Sequence, residues 1–201
     1  MRRTVLLLTV MAACLVMAGG VALAVTKIGT DGPDTLQGTN EHDTLIGKGG
    51  DDVLLALAGK DTLLGGDGKD GLLGGSIAEP LGGHKTLVGG DGNDAVNGGL
   101  DSDTLVGGDG NDFMFGGDFD QDPLAKDTFS AGAGNDVLDV INTPAGKDVV
   151  ACGGGFDRVL ADRADAVAPN CERVFVGLRK LDAYLESIPP SFWEGLPPPP
   201  E

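Results

Sequence analysis

With 201 residues, the chain has the length of one ordinary domain. Its 35 Gly, its seven Phe, one Trp and one Tyr, and its 31 Asp+Glu against 14 Lys+Arg exclude a compact core of large side chains and raise the prior for disorder. A net charge of −17 argues against nucleic acid or an anionic membrane as partner, and it repels itself unless cations neutralise it.

Residues 1–24 read as a cleaved secretory signal peptide. Arg2 and Arg3 begin it, Thr4 to Met17 is almost wholly apolar, Gly19-Gly20 break the run, and Ala22-Leu23-Ala24 gives a small-x-small pattern before Val25. An uncleaved membrane anchor is the alternative, because the apolar run is long enough to consider. A lipid anchor on Cys14 fits less well, since the residues after it stay hydrophobic. Cleavage removes two arginines and no acids, takes the charge from −17 to −19, leaves no membrane span and predicts a secreted, extracellular chain.

From Gly29 an internal repeat takes over. Aspartates recur nine residues apart as Asp34, Asp43, Asp52, Asp61 and Asp70, resume as Asp94, Asp103 and Asp112, and continue as Asp127, Asp136, Asp148 and Asp157. Lys85 fills the one slot in register without an Asp. Two positions after each of these thirteen slots stands an apolar residue, from Leu36, Leu45, Leu54, Leu63 and Leu72 through Leu87, Val96, Leu105, Met114, Phe129 and Leu138 to Val150 and Val159. A disordered linker would not hold that register. Each unit reads as a six-residue Gly/Asp turn and a three-residue strand whose middle side chain points inward. One unit cannot bury that side chain alone; stacked coils, about 4.8 Å apart, make a thin continuous core between two facing sheets. Thirteen units give a roll roughly 30 Å long at that spacing.

Three turns carry a known pattern: Gly65-Gly66-Asp67-Gly68-Lys69-Asp70, Gly89-Gly90-Asp91-Gly92-Asn93-Asp94 and Gly107-Gly108-Asp109-Gly110-Asn111-Asp112. They fit Gly-Gly-x-Gly-x-Asp-x-U-x, with U apolar. Over about residues 28–160 the chain resembles the haemolysin-type, or RTX, calcium-binding nonapeptide-repeat proteins. That resemblance implies an all-β fold, a right-handed parallel β-roll, with Ca2+ held between turns of successive coils. The chemistry agrees, because Ca2+ takes six to eight oxygens and Gly-rich turns let several carbonyls face one point. The metal candidates are Asp34, Asp52, Asp70, Asp94, Asp112, Asp136 and Asp157, with the turn glycines Gly50, Gly68, Gly92, Gly110 and Gly134. Asp67, Asp91 and Asp109 add negative potential along the same edge.

A second period of 18 underlies the period of nine. Odd-numbered units all have Gly at turn position four: Gly32, Gly50, Gly68, Gly92, Gly110, Gly134 and Gly155. Even units have Glu41, Gly59, Gly83, Asp101, Ala125 and Gly146 there, and all three insertions and Lys85 fall among them. With two turns per coil, one edge of the roll is predicted to be Ca2+-competent throughout. The other is degenerate, which leaves Asp43, Asp61, Asp103, Asp127 and Asp148 as weaker candidates.

The roll is placed at residues 25–160, with a C-terminal cap over 161–188 and a Pro-rich flexible tail over 189–201. Cys152 and Cys171 are expected to pair after export and to pin a segment over the open end of the core; a metal site or catalytic thiol lacks a partner cluster. Asp162, Asp165 and Glu172 beside them read as solvated. Leu178, Leu181, Leu185 and Ile188 have helical spacing and predict a short capping helix ended by Pro189-Pro190.

No enzyme is expected. His42 and His84 lie in degenerate turns, no His-Glu-x-x-His or Gly-x-Ser-x-Gly occurs, and the repeats fill the mature chain. The leading expectation is a secreted protein that folds on binding Ca2+. The alternative is a Ca2+-dependent adhesin or self-assembling matrix component, for which Leu55, Leu64, Leu73, Val88, Val106 and Phe115 would form an apolar outer patch for self-association or a surface partner.

Overall fold

The computed structural model describes residues 23–75, 83–117, 125–142 and 146–177. Among them there are sixteen strands, no helix, and two eight-stranded sheets in which every neighbour is parallel. One sheet contains β1 (Thr26–Ile28), β3 (Thr44–Gly49), β5 (Thr62–Asp67), β7 (Thr86–Asp91), β9 (Thr104–Asp109), β11 (Thr128–Ala133), β13 (Val149–Gly154) and β15 (Ala166–Val167). The other contains β2 (Thr35–Gln37), β4 (Val53–Leu55), β6 (Gly71–Leu73), β8 (Ala95–Asn97), β10 (Phe113–Phe115), β12 (Val137–Asp139), β14 (Arg158–Ala161) and β16 (Arg173–Val176). The chain alternates between the sheets, so each strand pairs with the one two places on. The architecture is all-β and consistent with a β-roll.

Register follows the repeat. Leu45 pairs with Leu63, Leu63 with Leu87 and Leu87 with Leu105 in one sheet, while Leu54, Leu72, Val96 and Met114 align in the other. From Leu45 to Val159, each of the twelve apolar repeat residues is at most 1% exposed. Each buried side chain of this size contributes roughly 1.5–3 kcal/mol. Leu36, with no coil before it, is only partly buried.

The strands are not uniformly three residues long. Those of the second sheet are, up to β12, whereas β3 to β13 run six residues and continue through the first three positions of the following odd turn. Glycine is the reason. Gly66 pairs with Gly90 and Gly90 with Gly108, and the missing side chains let successive turns keep backbone contact. The odd turns carry no insertion and continue the strand pairing; the even turns carry the insertions and stay stacked without extending the strands.

The apolar position-nine residues do not form one patch. Leu64, Val88 and Val106 lie on the outer face of the first sheet, and Leu55, Leu73 and Phe115 on the second, where Asn97 interrupts them. All six are half-buried.

At the C-terminal end, β15 pairs with β13 and β16 with β14, so residues 166–176 extend both sheets by one strand. Cys152 and Cys171 are bonded, with their Cα atoms 5.3 Å apart. The helix expected around Leu178 to Ile188, and the Pro-rich tail, lie outside the described residues.

The turn geometry gives a test. Gly110 has φ +140°, and a Cβ there would stand 1.6 Å from the carbonyl oxygen of Gly92. Gly154 has nothing within 4 Å of its Cβ position. Gly110→Ala is expected to destabilise the folded roll by at least ~1–3 kcal/mol, the cost of a strained backbone alone, while Gly154→Ala stays within about 0.5 kcal/mol of wild type in urea unfolding. Equal effects would contradict this packing of the turns.

Candidate metal centre

The repeat aspartate ends each turn and begins the next strand, so its carboxylate is drawn inside the turn. Asp52, Asp70, Asp94, Asp112, Asp136 and Asp157 are all at most 3% exposed. Each accepts, through Oδ1, the backbone N–H of the odd-edge aspartate one coil earlier, over 2.8–3.0 Å from Asp34 onwards. The second oxygen, Oδ2, has no hydrogen-bond partner in any of the six. A row of buried, half-satisfied carboxylates is costly unless a cation meets it.

Other oxygens converge on the same row. A Cβ built on Gly65 would lie 2.3 Å from Asp70 Oδ2 and 2.5 Å from the carbonyl oxygen of Gly89 in the next coil. Gly89 and Gly107 repeat this with Asp94 and Asp112. At positions two and four, Gly66, Gly68, Gly90, Gly92, Gly108 and Gly110 all have positive φ, and their built Cβ atoms would strike the carbonyl of the matching residue one coil back. Side chains cannot enter, and carbonyls line the space. Among the described residues no three His, Cys, Asp or Glu side chains cluster closely enough to hold a metal by themselves. Ca2+ fits such a donor set, because it accepts carbonyl oxygens as readily as carboxylates.

The even edge builds the same aspartate ladder and finishes it differently. Asp43, Asp61, Asp103, Asp127 and Asp148 are buried and accept the N–H of Val25, Asp43, Lys85, Asp103 and Asp127 respectively, over 2.7–2.8 Å. Asp43 Oδ2 also accepts from Thr39, and Asp148 Oδ2 from Asn142 Nδ2 at 3.1 Å. Protein donors therefore satisfy Asp43 and Asp148, whereas Asp61 Oδ2 is buried without a hydrogen-bond partner, as on the odd edge. Asp101 holds φ +75° at the fourth turn position, a conformation that favours glycine. Asp34, at the exposed start of the odd row, accepts the Thr30 N–H at 2.6 Å and hydroxyl at 2.8 Å, which hold its carboxyl below the usual range.

Burial moves the interior carboxyls the other way. It raises Asp70 and Asp136 to about 6, Asp94 to about 7 and Asp112 to about 8. The like charges of Asp67, Asp91 and Asp109 add to the effect on Asp70, Asp94 and Asp112. These three stand exposed and in register on the outside of the turns. Their carboxylates do not join the buried row; their backbone carbonyls instead accept the N–H of Gly50, Gly68 and Gly92.

Two sets of residues escape a reading of the sequence alone. Position five of the turn is variable in the repeat, yet its side chain forms a second ladder. Asp51 Oδ1 accepts the N–H of Lys69, Asn93 Oδ1 that of Asn111, Asn111 Oδ1 that of Asn135, and Asn135 Oδ1 that of Phe156. The available signal was the run of short side chains with an acceptor oxygen near the backbone. The second set is Asp165 and Glu172: Glu172 is exposed, as expected, and Asp165 half-buried, yet both accept backbone donors of the ladders. Glu172 Oε2 accepts the Asp157 N–H at 2.9 Å, and Asp165 Oδ1 accepts that of Asp148 at 3.2 Å. Both ladders would otherwise end on an unsatisfied donor, and acids from beyond the repeat close them.

Parallel coils, stacked glycine turns and a buried row of open carboxylate oxygens define a cation-binding repeat protein. Four matches to the RTX calcium-binding nonapeptide repeat cover residues 28–63, 46–76, 86–120 and 125–140, and the chain belongs to that family. Comparison with curated proteins returned no match. The family's repeat is a structural calcium-binding one, not a catalytic one. Among the described residues no helix is long and apolar enough to cross a membrane.

The raised carboxyls fix a pH dependence. Asp112, Asp94, Asp70 and Asp136 bind protons more tightly folded than at the reference value of 3.8. Their contribution to the Ca2+-free roll is whole below about pH 4 and is lost as pH rises through about 6–8. In excess chelator, circular dichroism should therefore show more β-structure at about pH 5 than at about pH 8. More β-structure at the higher pH would contradict the burial of these groups.

Proposed function

We propose that the mature chain is a secreted calcium-binding protein whose roll forms when Ca2+ enters between stacked odd turns. The observation that carries this reading is the row of six buried aspartates with an unpartnered Oδ2. Ca2+ supplies the missing partner, neutralises neighbouring carboxylates and orders the turns at one step; binding free energy then becomes folding free energy. The ligands are Asp52, Asp70, Asp94, Asp112, Asp136 and Asp157, with Asp34 at the first coil and carbonyls of Gly50, Gly68, Gly92, Gly110 and Gly134. The even-edge aspartates contribute less: Thr39 and Asn142 already satisfy Asp43 and Asp148, the Lys85 charge acts on Asp61, and Asp101 puts a side chain at turn position four before Asp103.

Residues 1–24 act as the export signal, thirteen nonapeptide units over 25–160 make a right-handed roll, 161–188 cap it and 189–201 trail from it. Extracellular sites of this kind take Ca2+ at roughly sub-millimolar to millimolar concentration. The adhesin or self-assembly reading has less support, since its apolar ranks fall on two opposite faces and are half-buried.

A Ca2+ titration followed by circular dichroism tests this reading. β-structure should be largely absent in chelator and appear with Ca2+. Asp94→Ala or Asp112→Ala should raise the midpoint roughly tenfold, the equivalent of ~1.4 kcal/mol. Asp61→Ala and Asp103→Ala should raise it far less. Equal β content with and without Ca2+ would defeat the proposal, and equal shifts from odd and even variants would defeat its assignment to one edge.

A further inference from the structure

Lys85 is the exception in the aspartate series, and it is buried to 3% exposure. A lysine there should be expelled to solvent unless something inside the turn meets its charge. Its backbone N–H keeps the ladder going by donating to Asp103 Oδ1 at 2.8 Å. Its side chain cannot accept the next donor and does something else. Nζ donates to the carbonyl oxygen of Gly83 at 3.0 Å. Gly83 is position four of the same turn and stacks on Gly59, whose carbonyl oxygen lies 2.3 Å from its built Cβ. The accepting carbonyl thus corresponds to those that line the odd turns. The stem fills the rest of that turn: a Cβ on Gly74 would meet Lys85 Cδ at 3.0 Å, and one on Gly75 would come within 3.9 Å of Nζ.

We infer that Lys85 is a tethered cation, its ammonium occupying the metal position of the even edge between the coils of Asp61 and Asp103 and replacing Ca2+ there. The inference rests on the calcium reading of the odd edge and extends it to a site where the metal is excluded. Asp61 supplies the anionic side of the arrangement. It is 2% exposed and its Oδ2 has no hydrogen-bond partner; burial raises its carboxyl to about 6, and the Lys85 charge opposes that rise. The other lysines of this edge, Lys60, Lys126 and Lys147, are all exposed. An ammonium donates to carbonyl oxygens and offsets carboxylates as Ca2+ does, but it is covalently attached and survives chelation. It also bars Ca2+ from the same few ångströms by direct repulsion.

Native mass spectrometry of the mature chain in Ca2+, with urea unfolding at saturating Ca2+, tests the assignment. Lys85→Asp restores a carboxylate to the slot, and the variant should carry at least one Ca2+ more than wild type. Lys85→Met keeps the stem and removes the charge; it should carry the wild-type number of ions and unfold at lower urea. An unchanged ion count in folded Lys85→Asp, or wild-type stability in Lys85→Met, would overturn the inference. Should Lys85→Asp fail to fold, the stability of Lys85→Met decides alone. A wild-type chain that carries no Ca2+ is the separate failure of the calcium reading, and it takes this inference with it.

Discussion

Stacking identical coils stacks identical charges, and the rest of the molecule answers to that. Every odd coil places one carboxylate above the last. At the coil spacing of about 4.8 Å, two unit charges repel by about 1 kcal/mol in water and about 3–4 kcal/mol at the effective permittivity of ~20 typical of protein sites. Water is withheld, because these aspartates are at most 3% exposed. The Oδ1 atoms find backbone donors one coil away, and the Oδ2 atoms do not. The core is thin, with one repeat side chain per unit and a few further residues such as Ala56, Val137 and Leu160. On the proposed calcium reading the fold is conditional: protons or cations are taken up with it.

The two edges meet the constraint by different chemistry. On the odd edge, glycines at positions two and four bring carbonyls to the row and keep side chains out, and the open oxygens are left for an ion. On the even edge the protein supplies some partners of its own, Thr39 to Asp43 and Asn142 to Asp148, and the proposed tethered cation Lys85 acts on Asp61. The difference explains where length variation is tolerated. Insertions fall only in even turns, and they are absent from the edge whose strands run three residues into the turn. At the C-terminal end, Glu172 and Asp165 close the two ladders beside the Cys152–Cys171 bond, so the last donors are satisfied by the segment the bond secures.

The sheet pairing was legible in the sequence because one constraint recurs in every unit. An apolar residue two positions after each Asp, at a basic spacing of nine, fixes the inward face, the parallel register and the alternation between sheets. The distinction between edges was also legible, in Gly92 and Gly110 against Asp101 and Ala125. What was hidden is what the repeat does not specify. Asn93, Asn111 and Asn135 fall in a variable position, and their ladder depends on a coil 18–24 residues away. Glu172 and Asp165 lie outside the repeat altogether, and only the return of β15 and β16 to the sheets brings them to Asp157 and Asp148. Lys85 reads as a defect in the pattern until its side chain is seen folded into the turn.

The central claim is that the aspartate ladder of the odd edge holds only when its open oxygens are neutralised. Residue-resolved amide hydrogen exchange at about pH 9, above the raised carboxyls of Asp94 and Asp112, where protons no longer do that work, tests it most directly. The Asp94 and Asp112 N–H groups donate to the next carboxylate along the row and report its formation. They should be strongly protected in saturating Ca2+ and exchange at nearly unfolded rates in chelator. Equal protection in both conditions would show that the stacked carboxylates are stable without a cation, and would contradict the account.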